Sequence, residues 1–157
     1  MKKTTLITGA GRGIGLEIAK IFASKNENLI LTIRKSNQKK NIQNIMKNYN
    51  CRFKIFVGDL NNLNFIKKIG KQIDYVTTII NNASGENQKY FTDVTEKDLT
   101  EMINVNLIAN FVLTKIFVKK MIKKKIKGNV VNIGSQLGKI GAYNRSIYCM
   151  AKFGVEG

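Results

Sequence analysis

Tyr148 and Lys152 stand four residues apart in Tyr148-Cys149-Met150-Ala151-Lys152. On a helix that spacing puts both side chains on one face. A free phenol has a pKa of about 10 and transfers protons poorly at neutral pH. Bringing that value near 7 requires about 4 kcal/mol of preferential phenolate stabilisation. A lysine charge about 4 Å away, at an effective dielectric of about 20, supplies about that much. The pair therefore suits proton exchange with a substrate oxygen, although alone it also describes an ordinary helix-surface contact. Upstream, Ser135 offers a hydroxyl in a loop that also contains Gly134 and Gly138. Near the N-terminus comes Thr8-Gly9-Ala10-Gly11-Arg12-Gly13-Ile14-Gly15. Glycines permit a tight turn and close backbone approach to a pyrophosphate, and a following helix N-terminus offers free N–H groups. The turn is not the strict G-x-G-x-x-G pattern, because the frame beginning at Gly9 puts Ile14 last. Nor is it a P-loop, since no Lys-Ser/Thr follows. Taken alone it also fits a plain strand-to-helix turn.

The elements that must position these groups follow from periodicity. Thr4 to Thr8 (TTLIT), Leu29 to Ile33 (LILTI), Phe53 to Val57 (FKIFV), Tyr75 to Ile80 (YVTTII) and Asn129 to Ile133 (NVVNI) read as short buried strands. Between them, Ile14, Ile18 and Phe22 recur every four residues. Ile42, Ile45, Met46 and Tyr49 form a second helical stripe, and Leu63, Ile66, Ile69 and Ile73 a third. Thr95 with Asp98 resembles a capping box. It opens a long helix through Leu107, Phe111 and Val118 to about Ile126, and a last helix is expected from Tyr148. Alternating strands and helices predict an α/β fold, a doubly wound parallel sheet with helices on both faces. Ligands of such sheets bind beyond the carboxyl ends of the strands. Every motif above falls at one of those ends.

The TGxxxGxG spacing over Thr8–Gly15, Ser135 after the fifth strand and the Y-x-x-x-K of Tyr148–Lys152 together resemble the short-chain dehydrogenase/reductase family. The resemblance covers essentially the whole chain. It implies a single Rossmann-type NAD(P)-binding domain over residues 1–157. The implied enzyme is an oxidoreductase moving a hydride between nicotinamide and a carbonyl or secondary alcohol, for example a 3-oxoacyl thioester. In the family scheme Tyr148 exchanges a proton with the substrate oxygen, and Ser135 hydrogen-bonds that oxygen. Lys152 tunes Tyr148 and holds the nicotinamide ribose. Asn106, in Asn104-Val105-Asn106, matches an asparagine that supports a water-linked proton path. Gly9, Arg12, Gly13, Ile14 and Gly15 fall on the pyrophosphate turn. Asp59-Leu60 match the adenine contact, and Asn81-Asn82-Ala83 match the motif after the fourth strand, with Asn81 and Ala83 as cofactor contacts. Where the family usually has glycine next, this chain has Ser84, a departure in local turn geometry. An NAD site needs a carboxylate at the end of the second strand. Between Glu27 and Asp59 there is no acidic residue, and the strand runs out into Arg34-Lys35-Ser36. Arg34, with Arg12 approaching from the turn, suits a 2′-phosphate. NADP(H) is therefore expected in preference to NAD(H).

Family members commonly run to about 250 residues. A chain ending at Gly157, inside the helix of Tyr148 and Lys152, is expected to lack the last strands and to be incomplete at its C-terminus. A catalytically inactive nucleotide-binding remnant is the alternative reading. The net charge is +17, from 27 Lys+Arg against 10 Asp+Glu. Such a charge can mark a nucleic-acid or membrane partner. Global bias explains it better: Pro, His and Trp are absent, where ordinary usage would give about 8 prolines. The densest run, Lys119 to Lys127 (KKMIKKKIK), keeps Met121, Ile122 and Ile126 on helical spacing and reads as a solvated helix end. No aromatic–basic interleaving points to nucleic acid, and no apolar run approaches the roughly 20 residues of a membrane span. No signal peptide is expected. Cys51 and Cys149 form no framework, which suits a reducing cytoplasm. The expected partners are a small carbonyl or alcohol substrate and, for a full-length form, further copies of the chain.

Overall fold

A computed structural model describes residues 2–157. Five parallel strands, β1 (Thr4–Ile7), β2 (Asn28–Ile33), β3 (Phe53–Val57), β4 (Thr78–Asn81) and β5 (Asn129–Asn132), form one sheet in the order β3-β2-β1-β4-β5. Successive side chains on a strand point to opposite faces. Leu6, Ile30 and Ile79, opposite one another in register, enter one core, while Ile7, Leu31 and Ile80 enter the other. β1, β2 and β4 are covered on both faces and read as unbroken apolar runs rather than alternating ones, whereas β5, expected to be buried, is exposed along its whole length because it is an edge strand. Helices α1 (Gly13–Ser24) and α2 (Gln38–Met46) cover one face with Ala19, Ala23, Ile42 and Met46. Helices α3 (Leu63–Gln72) and α5 (Ala109–Lys123) cover the other with Ile66, Ile69, Leu113 and Phe117. The β1–β2–β3 succession runs one way and β4–β5 the other, so the order reverses between β1 and β4. That reversal is where open α/β sheets form their ligand crevice.

The expected Thr95–Asp98 capping box opens α4 (Glu96–Ile103), with both reciprocal hydrogen bonds made. Lys89 bonds to the Asp98 carboxylate at 2.6 Å. That contact, followed by the Thr95 N–H and hydroxyl, holds the Asp98 carboxyl well below the usual carboxylate range. The single long helix expected from this cap differs in the structure. A π-turn, Asn104–Ile108, separates α4 from α5. Two asparagine side chains compete there for main-chain carbonyls four residues back. Asn106 Nδ2 donates to the Met102 carbonyl at 3.0 Å, and Asn110 Nδ2 to the Asn106 carbonyl at 2.7 Å. A periodicity of 3.6 residues does not register one residue inserted into a turn. The whole stretch Glu96–Lys123 is long and apolar enough to cross a membrane by length and composition. Its Ala109, Leu113, Phe117 and Met121 are nonetheless buried against the sheet. The last helix, α6 (Ser146–Glu156), begins at Ser146 rather than Tyr148, and α2 ends before Tyr49. β5 is one of the two edge strands, the other being β3, and its Val130 and Val131 are half-exposed.

Phe117 is the largest fully buried side chain. Phe117→Ala is expected to cost about 3–5 kcal/mol of unfolding free energy, from lost transfer energy plus the cavity. Chemical denaturation of the full-length protein checks this.

Candidate active site

The turn after β1 is suspended between two neighbours. The Gly9 N–H donates to Thr32 Oγ1 at 3.2 Å and the Ala10 N–H to the Thr32 carbonyl at 2.9 Å, anchoring it to β2. On the other side the Asn82 side chain donates to the Thr8 carbonyl at 3.0 Å and to the Gly9 carbonyl at 3.3 Å. The fully buried Thr8 hydroxyl accepts from the Asn82 N–H at 3.0 Å and the Ala83 N–H at 2.9 Å. Gly9 and Gly13 have φ of 68° and 56°, conformations that side chains disfavour. At Gly15 a Cβ would strike Asn82 Nδ2 and lie 2.5 Å from the Gly9 carbonyl. The cradle is thus closed to side chains but open to a ligand. No side chain caps the N-terminus of α1, where exposed Arg12 and Ile14 flank Gly13. Free helical N–H groups at such an end suit a pyrophosphate, so the residues present fit a dinucleotide.

At the ends of β2 and β3, Arg34 Nε contacts Asp59 Oδ2 at 3.1 Å, with the arginine largely exposed. Asp59 Oδ1 accepts from the Asn61 N–H at 2.9 Å. Both residues line a groove with Asn61, Gly85 and Met102. Leu60 lies in the core, so a ligand at that position would meet its backbone. Asn81 is similarly committed: its Nδ2 donates to Thr114 Oγ1 at 2.9 Å and to Asn132 Oδ1 at 2.8 Å. No contact joins Arg12 to Arg34 among the ion pairs and hydrogen bonds of the described residues.

Tyr148 and Lys152 lie on α6, with Lys152 Nζ 5.7 Å from the centre of the Tyr148 ring. Lys152 is only 4% exposed, and its Nζ donates to the Ile133 carbonyl at the end of β5 at 3.0 Å. Burial pushes its pKa down from the ordinary lysine value, while the nearby Glu156 carboxylate opposes that change. Ser135 begins the short 3-10 turn Gln136–Gly138, and its Oγ accepts from the Leu137 N–H at 3.1 Å. An accepting hydroxyl still has its own proton to donate. A Cβ on Gly138 would lie 2.8 Å from the Lys152 carbonyl, so glycine lets this turn seat on α6. Asn106 is 1% exposed in the π-turn, held by Met102 on one side and by Ser84 on the other.

A family model described as short chain dehydrogenase matches residues 3–157. The 3-oxoacyl-acyl-carrier-protein reductase of Buchnera aphidicola subsp. Baizongia pistaciae is 33% identical over 162 residues, covering 99% of this chain and 64% of that protein. The reductase of the same name from Rickettsia prowazekii is 30% identical, covering 99% and 63%. The chain therefore spans a little under two thirds of the length of the curated relatives it matches. Among solved structures, a metagenomic short-chain oxidoreductase in complex with NADP superimposes with a TM-score of 0.92 at 24% identity, covering 99% of this chain and 71% of that one. A short-chain dehydrogenase from Sphingobium yanoikuyae in complex with NADPH does so with 0.88 at 24% identity, covering 96% and 60%. At that identity the likeness is one of fold.

Three side chains hold more of this geometry than their sequence positions suggested: Thr8, Asn82 and Ser84. Asn82 stands in the quoted Asn81-Asn82-Ala83 run and Thr8 at the head of the glycine turn, but their bonds to each other span 74 residues of chain. Only the pairing of β1 with β4 brings them together. Thr8→Val keeps the shape but strands two main-chain N–H groups. It is expected to cost about 1–3 kcal/mol of stability, measurable by urea denaturation. An unchanged midpoint would mean that these donors find other acceptors.

Proposed function

The chain belongs to the short-chain dehydrogenase family, and on that footing we propose that it works as an NADP(H)-dependent oxidoreductase interconverting a carbonyl group and a secondary alcohol. A 3-oxoacyl thioester is the substrate class that its relatives' names favour. The observation that carries the reading is the buried Lys152 set against Tyr148, on the same carboxyl edge of the sheet as the open glycine cradle. Residues 1–157 act as the nucleotide-binding domain. The same reading assigns the protein to the cytoplasm, in keeping with its free Cys51 and Cys149. It also assigns self-association to a full-length form.

When bound, the nicotinamide supplies or accepts the hydride. The protein's own residues bind, orient and handle the proton. Gly9, Arg12, Gly13, Ile14 and Gly15 receive the pyrophosphate. Asp59, the Leu60 backbone, Asn81 and Ala83 line the rest of the dinucleotide path. Ser135 donates its hydroxyl proton to the substrate oxygen, and Tyr148 exchanges a proton with that oxygen. Lys152 has two roles: it sets its positive charge beside the Tyr148 ring, and its remaining N–H groups hold the ribose. Asn106 supports the water-linked path by which the proton is replaced. For the cofactor choice, the observed Arg34 contact matters in detail. A guanidinium carries five N–H donors. Asp59 engages Nε, leaving the two terminal nitrogens for a 2′-phosphate.

Tyr148→Phe removes only the phenol oxygen. In the full-length protein it is expected to lower kcat by at least about 10²-fold while leaving NADPH affinity within about twofold. Steady-state kinetics with a fluorescence titration of the cofactor checks both, and activity within about tenfold of wild type would remove Tyr148 from proton transfer.

Arg34→Ala is expected to weaken NADPH binding about tenfold or more and to leave NADH binding nearly unchanged. Titration of both cofactors into both proteins decides it. Equal affinities in wild type would show that the charge at Arg34 reflects composition alone.

A further inference from the structure

We propose that Ser84 is a positioning residue that fixes the orientation of the Asn106 side chain and thereby of the π-turn packed against the helix of Tyr148 and Lys152. The inference rests on the functional reading above, since it assigns Asn106 a part in the reaction.

The amide orientation follows from chemistry. The Met102 carbonyl can only accept, so the atom of Asn106 lying 3.0 Å from it must be the nitrogen. The amide oxygen then faces Ser84, whose Oγ lies 2.7 Å away and must donate. The Gly85 carbonyl, at 3.0 Å, competes for the same hydroxyl proton over a longer contact. Asn106 is almost wholly buried, so an amide oxygen without that donor has little access to bulk water. Glycine or alanine at position 84 would remove the donor.

The donor is also held in place. Ser84 follows Ala83, whose N–H is bonded to the Thr8 hydroxyl, so its backbone is tied to the end of β1. A Cβ built on Gly85 would lie 3.5 Å from Asn106 Nδ2 and 3.6 Å from Met102 Sδ, which places this segment against the π-turn. On its far side the turn meets α6. A Cβ on Gly154 would lie 3.0 Å from Leu107 Cδ1, so Leu107 and α6 are in close contact. The position of Asn106 is thus linked to the glycine cradle through Ser84 and to the Tyr148–Lys152 helix through Leu107.

The test compares Ser84→Ala and Ser84→Gly, which lack the donor, with Ser84→Thr, which keeps it, in the full-length protein. One readout needs no turnover: hydrogen exchange of the Asn106 side-chain amide, followed by NMR. The other is the split between kcat and KM. In both donor-less variants exchange is expected to quicken about tenfold and kcat to fall about tenfold, with the KM for NADPH within about twofold; Ser84→Thr retains both properties to within about threefold. Unchanged exchange in the donor-less variants overturns the proposal, as does a Ser84→Thr variant that loses as much as Ser84→Ala. A wild-type protein that turns over no carbonyl substrate would defeat the functional reading instead, and the exchange data would still decide whether Ser84 positions Asn106.

Discussion

The hydroxyl of Thr8 sits where the strand order of the sheet reverses, and the site depends on what it holds there. Beyond the carboxyl ends of β1 and β4 the ladder hydrogen bonds stop, and each main-chain N–H and C=O needs another partner. Thr8 Oγ1 accepts from two of those N–H groups, and the Asn82 side chain donates to the carbonyls of Thr8 and Gly9. These bonds leave the glycine turn bent back over the sheet, with the α1 N-terminus open. With side-chain caps in that place, the helix end would have its donors satisfied internally and little to offer an anion. With bulkier residues, Asn82 could not reach the turn.

A second constraint is the burial of Lys152. A lysine at 4% exposure is costly unless its N–H groups are used. The Ile133 carbonyl takes one of them. Burial also keeps the ammonium away from bulk water, which screens a charge most strongly, and its Nζ stands 5.7 Å from the centre of the Tyr148 ring. The same burial lowers the lysine's own pKa, against the opposing pull of Glu156. The π-turn serves this arrangement by setting Asn106 and Leu107 beside α6 without ending the helix that covers the sheet.

Much of this was legible in the sequence where the signal was local. The central strands β1, β2 and β4 are apolar runs because both of their faces are buried, and the Tyr148–Lys152 spacing fixes one helical face whatever lies around it. The Thr95–Asp98 pair foretold its own cap. Contacts between distant segments were not legible. Arg34 meets Asp59 because Ile33 pairs with Val57 in parallel register, and nothing in either local stretch announces that pairing. The π-turn escaped because Asn106 and Asn110 look like ordinary residues in an asparagine-rich chain, and their effect lies in which carbonyls they capture. Leu60 and Asn81 could be placed on the ligand side by motif, but that their side chains serve the core and the cross-sheet network required the packing itself. Ser84 stood out only as a departure from the family pattern. Its hydrogen bond to Asn106 shows what the departure does.

The proposed reaction is direct hydride transfer at the carboxyl edge of this sheet. The most direct measurement supplies the full-length protein with NADPH deuterated at the transferring position of the nicotinamide, together with a 3-oxoacyl thioester, in ordinary water. Mass spectrometry of the alcohol product then locates the label. Direct transfer puts deuterium on the former carbonyl carbon and a solvent proton on its oxygen. Product carrying no deuterium, or cofactor bound but never oxidised in the presence of any carbonyl substrate, would contradict it.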